Sequence, residues 1–155
     1  MTSRISLSRA IAEMASTLRL GDVPEAVVNR AKLHILDALG LGLAASVQDF
    51  GKSALAGALS MGASGECSVI GRSDRLDMRD AALVNAVLIH GLDFDDTHLD
   101  TIIHPAAPVA APVLALAQAR GLSGQAVLTA FILGVEVECR VGNAVSPGHY
   151  ARGWH

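Results

Sequence analysis

Residues 90–105 have the sequence His90-Gly91-Leu92-Asp93-Phe94-Asp95-Asp96-Thr97-His98-Leu99-Asp100-Thr101-Ile102-Ile103-His104-Pro105. This stretch holds four of the 15 acidic residues and three of the six histidines, and long Ala-rich apolar segments lie on both sides of it. Removing a carboxylate from water is costly unless the group is paired, protonated or bound to a metal. Because acidic and imidazole side chains alternate at short range, we interpret the stretch as a functional site between two helical segments rather than as a solvated loop.

The composition indicates a single apolar domain. The chain has 155 residues, of which 51% are hydrophobic and 17% are charged, whereas charged residues make up about a quarter of an ordinary soluble domain. The length is sufficient to bury one core. A chain this apolar is expected to cover part of its surface with a partner subunit or with a further part of its own fold.

Several cellular roles are disfavoured by the same composition. No run approaches the roughly 18–20 apolar residues needed to span a membrane, and the first six residues lack the apolar core of a secretory signal. The net charge of −3 and the lack of a basic stripe argue against a nucleic-acid partner. Cys67 and Cys139 are far apart and form no metal-type pair, so we expect two reduced thiols in a cytoplasmic protein.

The N-terminal part predicts two helices with a clear boundary between them. Apolar residues at helical spacing place the first helix over residues 3–20. The motif Asp22-Val23-Pro24-Glu25 offers an N-cap aspartate, a proline in the first turn and a nearby glutamate, for a helix that continues to about Ala45. Gly40 and Gly42 weaken this helix unless they allow close approach, so they predict close helix packing.

The remaining chain predicts further helices and one β-type segment. Residues 65–71 place β-type residues between glycines, which indicates at most one short extended segment or edge strand near residues 66–70. Helices are predicted over residues 49–61, 77–90, 105–120 and 124–141, and residues 143–155 are turn-rich. The predicted fold class is therefore mainly α, with several helices layered on each other.

The C-terminal end is chemically dense. Tyr150, Arg152, Trp154 and His155 follow each other closely, and terminal residues of domains usually fray. We therefore expect the chain to be the N-terminal piece of a longer protein.

Several motifs, taken together, resemble the MmgE/PrpD family. Residues 90–97, followed by His104-Pro105, resemble the signature of that family. Residues 33–40 resemble its second helix, residues 134–140 resemble part of a later helix, and Gly153-Trp154-His155 resembles its next motif. The likeness covers essentially the whole chain, in the right order.

The resemblance implies a fold and a type of chemistry. Members of the family include 2-methylcitrate dehydratase, which belongs to propionate metabolism, cis-aconitate decarboxylase and iminodisuccinate epimerase. They pair a large helical domain with a smaller α/β lid domain, usually as homodimers, and they act on small polycarboxylates without a metal or an organic cofactor. The resemblance therefore implies that residues 1–155 are part of the helical domain and that the lid is absent. It also implies the activity of a lyase or isomerase, with a hydro-lyase as the first expectation.

Catalytic roles follow from the same resemblance. The reactions of the family make or quench a carbanion next to a carboxylate, and histidine suits this because its pKa lies near neutrality. His104 matches the His-Pro position of the family, and His155 matches its Trp-His position. Asp93 matches the signature aspartate, which we expect to face the pocket and to orient a histidine or bond the substrate.

Substrate-binding roles are expected for Thr97, Arg152 and His90. If the loop begins with a helical turn, the four-residue separation of Asp93 and Thr97 places both on one face. Arg152 would supply positive charge for a substrate carboxylate, and His90 would line the pocket or cap its helix.

The other polar residues are expected to be structural or solvated. Asp95 and Asp96 would bond backbone N–H groups of the loop. His34 would be packed in its helix, and His98 and His149 would be solvated. Glu136 and Glu138 lie in an apolar helix, where pairing with Arg140 would support the helix. Glu136 lies four residues before Arg140, which is the spacing of a stabilising ion pair on a helix.

Two alternatives to a cofactor-free lyase or isomerase stay open. The aspartates and histidines of the loop are oxygen and nitrogen donors, which makes a metal-dependent hydrolase possible in chemical terms, although their spacing resembles no zinc motif. A non-catalytic helical module that dimerises through its Ala- and Gly-rich faces is the second alternative.

Overall fold

The computed structural model of the protein describes residues 6–153. Within that range the chain forms seven α-helices, one 3₁₀ turn and two very short strands, which confirms the mainly α prediction. The elements are α1 (Leu7–Thr17), a 3₁₀ helix (Leu20–Asp22), α2 (Glu25–Ala45), α3 (Asp49–Ser60), β1 (Cys67–Ser68), β2 (Arg75–Leu76), α4 (Met78–His90), α5 (Ala106–Arg120), α6 (Gly124–Val145) and α7 (Gly148–Ala151).

The start of α2 differs from the predicted one. Asp22 is not its N-cap, because it ends the preceding 3₁₀ helix and Pro24 holds the N-cap position. Val23 is extended, as expected for a residue before proline, which is biased away from the helical region. The helix therefore begins one residue after the proline.

The predicted extended segment exists, but it pairs with a strand that the sequence did not indicate. Cys67 and Ser68 of β1 lie opposite Leu76 and Arg75 of β2 in an antiparallel register. Two residues are too few to show an alternating pattern, so β2 gave no periodic signal. Asn85 of α4 holds the neighbouring backbone, since its side chain accepts from the Ile70 N–H and donates to the Ser68 carbonyl, both at 2.9 Å.

Helices α4 and α5 form the centre of the fold, and their buried faces consist largely of small residues. Ala81, Ala106, Ala110 and Ala111 are all almost fully buried. Alanine allows helix backbones to approach closely, which fits the Ala-rich composition. One buried cluster joins α3, α4 and the strands, and a second joins α2, α4, α5 and α6.

The predicted role of the two α2 glycines is only half correct. A Cβ atom on Gly42 would lie 2.9 Å from the Cδ1 atom of Ile70, so this glycine permits a close contact, although with a loop rather than a helix. A Cβ on Gly40 would meet no atom within 4 Å. Gly40 therefore does not serve close packing within the described residues.

The fold fixes both ends of the polar stretch. Residue His90 ends α4 and residue Ala106 begins α5, and these two helices pack against each other along their length. Residues 91–105 therefore form a loop whose ends are held by the core. Among residues 6–153, no helix is both long enough and apolar enough to cross a bilayer.

Candidate active site

A tight turn closes the second half of the loop. The His98 N–H donates to the Ile103 carbonyl at 2.9 Å, and the N–H groups of Thr101 and Ile102 both donate to the His98 carbonyl. Thr101 is buried, with its hydroxyl 2.7 Å from Nδ1 of His98, so His98 is bonded rather than solvated as predicted. Ile102 has φ of 54°, which is unusual for a β-branched residue and indicates that the surrounding bonds determine the turn.

Asp96 joins the loop to two helices. Its Oδ1 accepts a hydrogen bond from the N–H of Ala106 at 2.8 Å, and its Oδ2 lies 3.1 Å from Nδ1 of His34 on α2. The first N–H groups of a helix have no intrahelical partner and attract negative charge, so Asp96 stabilises the start of α5. The prediction that Asp96 bonds backbone is confirmed, whereas His34 pairs with a carboxylate instead of packing only among apolar side chains.

Asp95 is the central group of the site. Its side chain is fully buried, and both of its oxygens lie within hydrogen-bond distance of Nδ1 of His90, at 3.0 and 3.1 Å. Its Oδ1 also lies 3.2 Å from Nδ1 of His104. The prediction that Asp95 bonds backbone N–H groups is therefore wrong, because the buried carboxylate is placed between two imidazoles.

Asp93 lies at the edge of this cluster. Its side chain is 77% exposed, and its Oδ1 is 3.7 Å from Nε2 of His104. Asp93 has φ of 56°, in the left-handed region, so the loop does not begin with the helical turn that would place Asp93 and Thr97 on one face. Thr97 is exposed, and its side chain makes no hydrogen bond to any described residue.

The two imidazoles are held edge to face. The ring centroids of His90 and His104 are 5.0 Å apart and their planes meet at 62°. An ionised carboxylate only accepts hydrogen bonds, so the nitrogen of His90 that contacts Asp95 carries the hydrogen. Nδ1 of His104 lies at an ion-pair distance of 3.2 Å from Asp95, and its Nε2 lies 3.7 Å from Asp93. A carboxylate behind an imidazole also stabilises the protonated ring.

A cavity of about 480 Å³ opens beside these rings. This volume is within the range of small-molecule sites, which usually have apolar walls and a few polar groups. His90, His104 and Glu138 supply the ionisable side chains of this cavity. The other lining residues are Leu83, Ala86, Val87, Gly91, Ile102, Ile103, Ala107 and Pro108.

Burial changes the protonation of two carboxyl groups near the cavity. Burial raises the pKa of Asp96 and the charge of Asp95 adds to this, while the Ala106 N–H, His34 and His104 act in the opposite direction. Burial also raises the pKa of Glu138, and the charge of Asp96 contributes. Both groups therefore keep their protons to higher pH than ordinary carboxyl groups do.

The structure brings together some of the predicted site residues and separates others. His90, His104 and Asp93 meet around Asp95. Arg152 follows α7, is exposed, and its side chain forms no ion pair with a described residue. His155 lies outside the described residues, so its predicted catalytic position is not tested. His149 is not solvated as predicted, since both of its ring nitrogens are shielded from water.

Two residues of the site were missed by the sequence interpretation. Asp95 was expected to bond backbone N–H groups, whereas its side chain contacts His90 and His104. Glu138 was assigned to helix support, yet it is half-buried and faces the cavity, whereas Glu136 is the residue that bonds Arg140, at 2.6 Å. A lone acidic residue on an otherwise apolar helix face was the available signal for Glu138.

The cluster also has a donor set suited to a divalent cation. One ligand atom from each of His90, Asp93, Asp95 and His104 lies within 4.8 Å of the others. Two nitrogens and two oxygens are acceptable to Zn²⁺. However, His104 contacts Asp95 through Nδ1 and Asp93 through Nε2, so one ion bound to His104 would have to draw one of these carboxylates around the ring.

Comparison with known proteins gives one consistent family. The chain is 29% identical to cis-aconitate decarboxylase of Aspergillus terreus over 99% of its own length. It is 34% identical to the cis-aconitate decarboxylases of Mus musculus and Homo sapiens, in each case over 88% of its length. The chain spans 32% of the fungal protein and 29% of each mammalian protein, which is about a third of their length.

The family assignment covers the helices and the loop just described. Residues 9–155 match the MmgE/PrpD N-terminal domain, a range that contains α2, α4, the polar loop and α6. The motifs that suggested the resemblance lie inside this match. The chain therefore belongs to the MmgE/PrpD family.

Proposed function

We propose that the protein acts as a lyase on small polycarboxylates, with decarboxylation of cis-aconitate as the first reaction to test. The observation that carries this proposal is the fully buried Asp95, which lies between His90 and His104 beside a cavity. The relatives reported above are cis-aconitate decarboxylases, which favours a carboxy-lyase over the hydro-lyase expected first. Dehydration of 2-methylcitrate is the second reaction to test.

The proposed chemistry is a proton transfer at carbon. When a carbon–carbon bond to a carboxylate breaks and CO₂ leaves, the electron pair stays on the substrate and must be quenched by a proton. In this proposal His104 delivers that proton from Nε2, and Asp95, 3.2 Å from Nδ1, would stabilise the protonated ring before transfer. In the neutral state the same nitrogen would remove an α-proton, which is the first step of a dehydration or an epimerisation.

The other predicted residues keep supporting roles in this proposal. Asp93 Oδ1 lies 3.7 Å from Nε2 of His104. In this proposal Asp93 would hold that side of the ring until substrate enters. His90 would fix Asp95 and line the cavity. His155 as a second proton-transfer group, and Thr97 and Arg152 as substrate contacts, remain predictions from the family resemblance.

The test compares two histidines of the same loop. The full chain is incubated with cis-aconitate or 2-methylcitrate, and mass spectrometry of the product separates loss of CO₂ from loss of water. We expect His104→Asn to lower turnover by about a hundredfold or more, the usual contribution of a general acid or base. His98→Asn is the matched control, because His98 bonds Thr101 and does not line the cavity. Equal losses in both variants, or no turnover by the unmodified chain, would refute the proposal.

We also propose that the protein forms a homodimer through α2. Leu33, Leu36 and Leu43 of α2 are each more than half exposed and follow one another at spacings of three and seven residues. This spacing gives one apolar stripe along the helix, and exposed apolar stripes mark association surfaces. Sedimentation of the unmodified chain and of Leu36→Lys tests this, with a monomer in both cases as the contradicting result.

A metal-dependent hydrolase is the second candidate function, favoured by the four-residue donor cluster. Its test is metal analysis of the purified protein, followed by assay before and after treatment with a chelator. A non-catalytic helical module is the remaining candidate, and a stable dimer without turnover of any polycarboxylate would favour it.

A further inference from the structure

Glu138 lies where two hollows of the protein meet. It lines the cavity of about 480 Å³ beside His104 and also a second hollow of about 350 Å³ on the side of α7. Ile103 is the other residue common to both linings. The Glu138 side chain is half-buried and has no hydrogen bond or ion pair with any residue in the described range. A polar group in this position is available to a ligand.

The surroundings of Glu138 contain acidic and imidazole groups. From the loop, Asp96 acts on it electrostatically, and His90 and His104 line the same cavity. From α7, His149 lines the second hollow. Within the described residues, no lysine or arginine lines either hollow.

Glu136, two positions earlier on α6, provides an internal contrast. It is exposed and bonds Arg140 at 2.6 Å, so its charge is solvated and paired. Glu138 has neither advantage, and an isolated ionised carboxylate in a half-buried apolar wall is unfavourable. Burial raises the pKa of Glu138, so this position favours the neutral acid more than solvent does.

We propose that Glu138 contacts the substrate as a neutral acid, donating a hydrogen bond from its carboxyl group to a substrate carboxylate whose other end reaches His104. This inference rests on the proposed function, since it assumes a polycarboxylate in the cavity. A hydrogen bond from a neutral acid to a carboxylate is short and strong, whereas two ionised carboxylates repel. Glu138 thereby selects ligands with a second carboxylate and sets an upper pH limit for their binding.

Glutamine and leucine at this position separate the possibilities. Glu138→Gln keeps a hydrogen-bond donor and removes the ionisable group, so it imitates the neutral acid at every pH. Glu138→Leu removes the donor and suits the apolar wall, so it is not expected to unfold the protein. Glu136→Gln is the matched control on the same helix, outside both hollows.

The experiment measures binding of tricarballylate, a saturated tricarboxylate, by calorimetry with the full chain from about pH 5 to about pH 8.5, a range that begins just above the ordinary pKa of a glutamate side chain. We expect the unmodified chain and Glu136→Gln to lose affinity as pH rises. Glu138→Gln should lose less, because only the carboxyl groups of the ligand titrate in that variant, whereas Glu138 also titrates in the other two proteins. We expect Glu138→Leu to bind about ten- to a hundredfold more weakly at pH 6, the effect of one charge-assisted hydrogen bond.

The outcomes are distinguishable. If the unmodified chain binds and Glu138→Leu binds equally well, this inference is overturned while the proposed function stands. If Glu138→Gln is as weak as Glu138→Leu at the lowest pH, Glu138 does not act as a neutral donor and the inference is also overturned. If the unmodified chain does not bind tricarballylate at any pH, the proposed function and the inference both fail.

Discussion

Replacing Asp95 with asparagine tests the feature on which the site depends. The substitution keeps the shape of the side chain and removes its charge. The amide nitrogen would take the position of one carboxylate oxygen, and at the Oδ2 position it would lie 3.1 Å from Nδ1 of His90, where two donors would then face each other. The retained Oδ1 would still lie 3.0 Å from Nδ1 of His90 and 3.2 Å from Nδ1 of His104, but as a neutral amide oxygen.

The expected cost follows from this count of contacts. One of the two contacts with His90 is lost and the remaining contacts lose their charge, at a carboxylate that is itself fully buried. This corresponds to about 1.5–3 kcal/mol of the free energy of unfolding. With a urea m-value of about 2 kcal/mol/M, the midpoint of unfolding should fall by about 1 M. Equilibrium urea unfolding at neutral pH, followed by circular dichroism, measures this shift.

Asp93→Asn is the matched control for this prediction. It makes the same chemical change in the same loop, beside the same His104 ring, but its side chain is 77% exposed and the contact is 3.7 Å long. Exposed pairs contribute about 0–1 kcal/mol, and asparagine tolerates the left-handed backbone at this position. We therefore expect little change. If Asp95→Asn costs no more than Asp93→Asn, the buried carboxylate does not hold the imidazoles together and the reasoning is refuted.

Three further predictions concern the fold and its pH dependence. Gly51→Ala should destabilise the protein by about 1–3 kcal/mol in urea unfolding, because its Cβ would lie 2.5 Å from a carbonyl oxygen at the end of α2. Gly57→Ala is the control on the same helix: its Cβ would meet nothing within 4 Å, so it should stabilise the protein by up to about 1 kcal/mol. Asn85→Ala should cost about 2–3 kcal/mol in the same assay, because it leaves a backbone N–H and a carbonyl without their partner, while the exposed Asn143→Ala should change the midpoint little. Glu138→Gln should raise the free energy of unfolding at neutral pH but not near pH 4. Folding raises the pKa of Glu138, so the native state binds more protons than the unfolded state and loses stability as pH rises through that pKa. Equal effects of the substitution at both pH values would contradict this.

Much of the helical framework was predictable because its signals are local. Ser123 caps α6 through a hydrogen bond from the Ala126 N–H, and Asp77 caps α4 in the same way from the Asp80 N–H. Cap residues and apolar periodicity act within a few residues, so a single sequence is enough to read them. The two-residue strand β2 has no such signal, since it depends on pairing with β1, whose residues lie seven and nine positions before their partners.

The assignment of the loop carboxylates was less accurate for a physical reason. Asp93, Asp95 and Asp96 are nearly adjacent in sequence, yet one is exposed, one is buried between imidazoles and one binds the start of α5. Their directions depend on left-handed backbone at Asp93 and on contacts with α2 and α5, which are distant in sequence. Residue type alone therefore identified the cluster but not the role of each member.

The acidic groups of the loop are partly offset by neighbouring groups. Asp95 is balanced by two imidazoles, and Asp96 is bonded by a helix N–H and by His34. Burial favours the neutral form of Glu138, as it does for Asp96. The carboxylate that remains exposed beside His104 is Asp93, whose Oδ1 lies 3.7 Å from Nε2 of that ring. Under the proposed function, protonated imidazoles would supply both the positive charge that binds a polycarboxylate and the proton for its reaction.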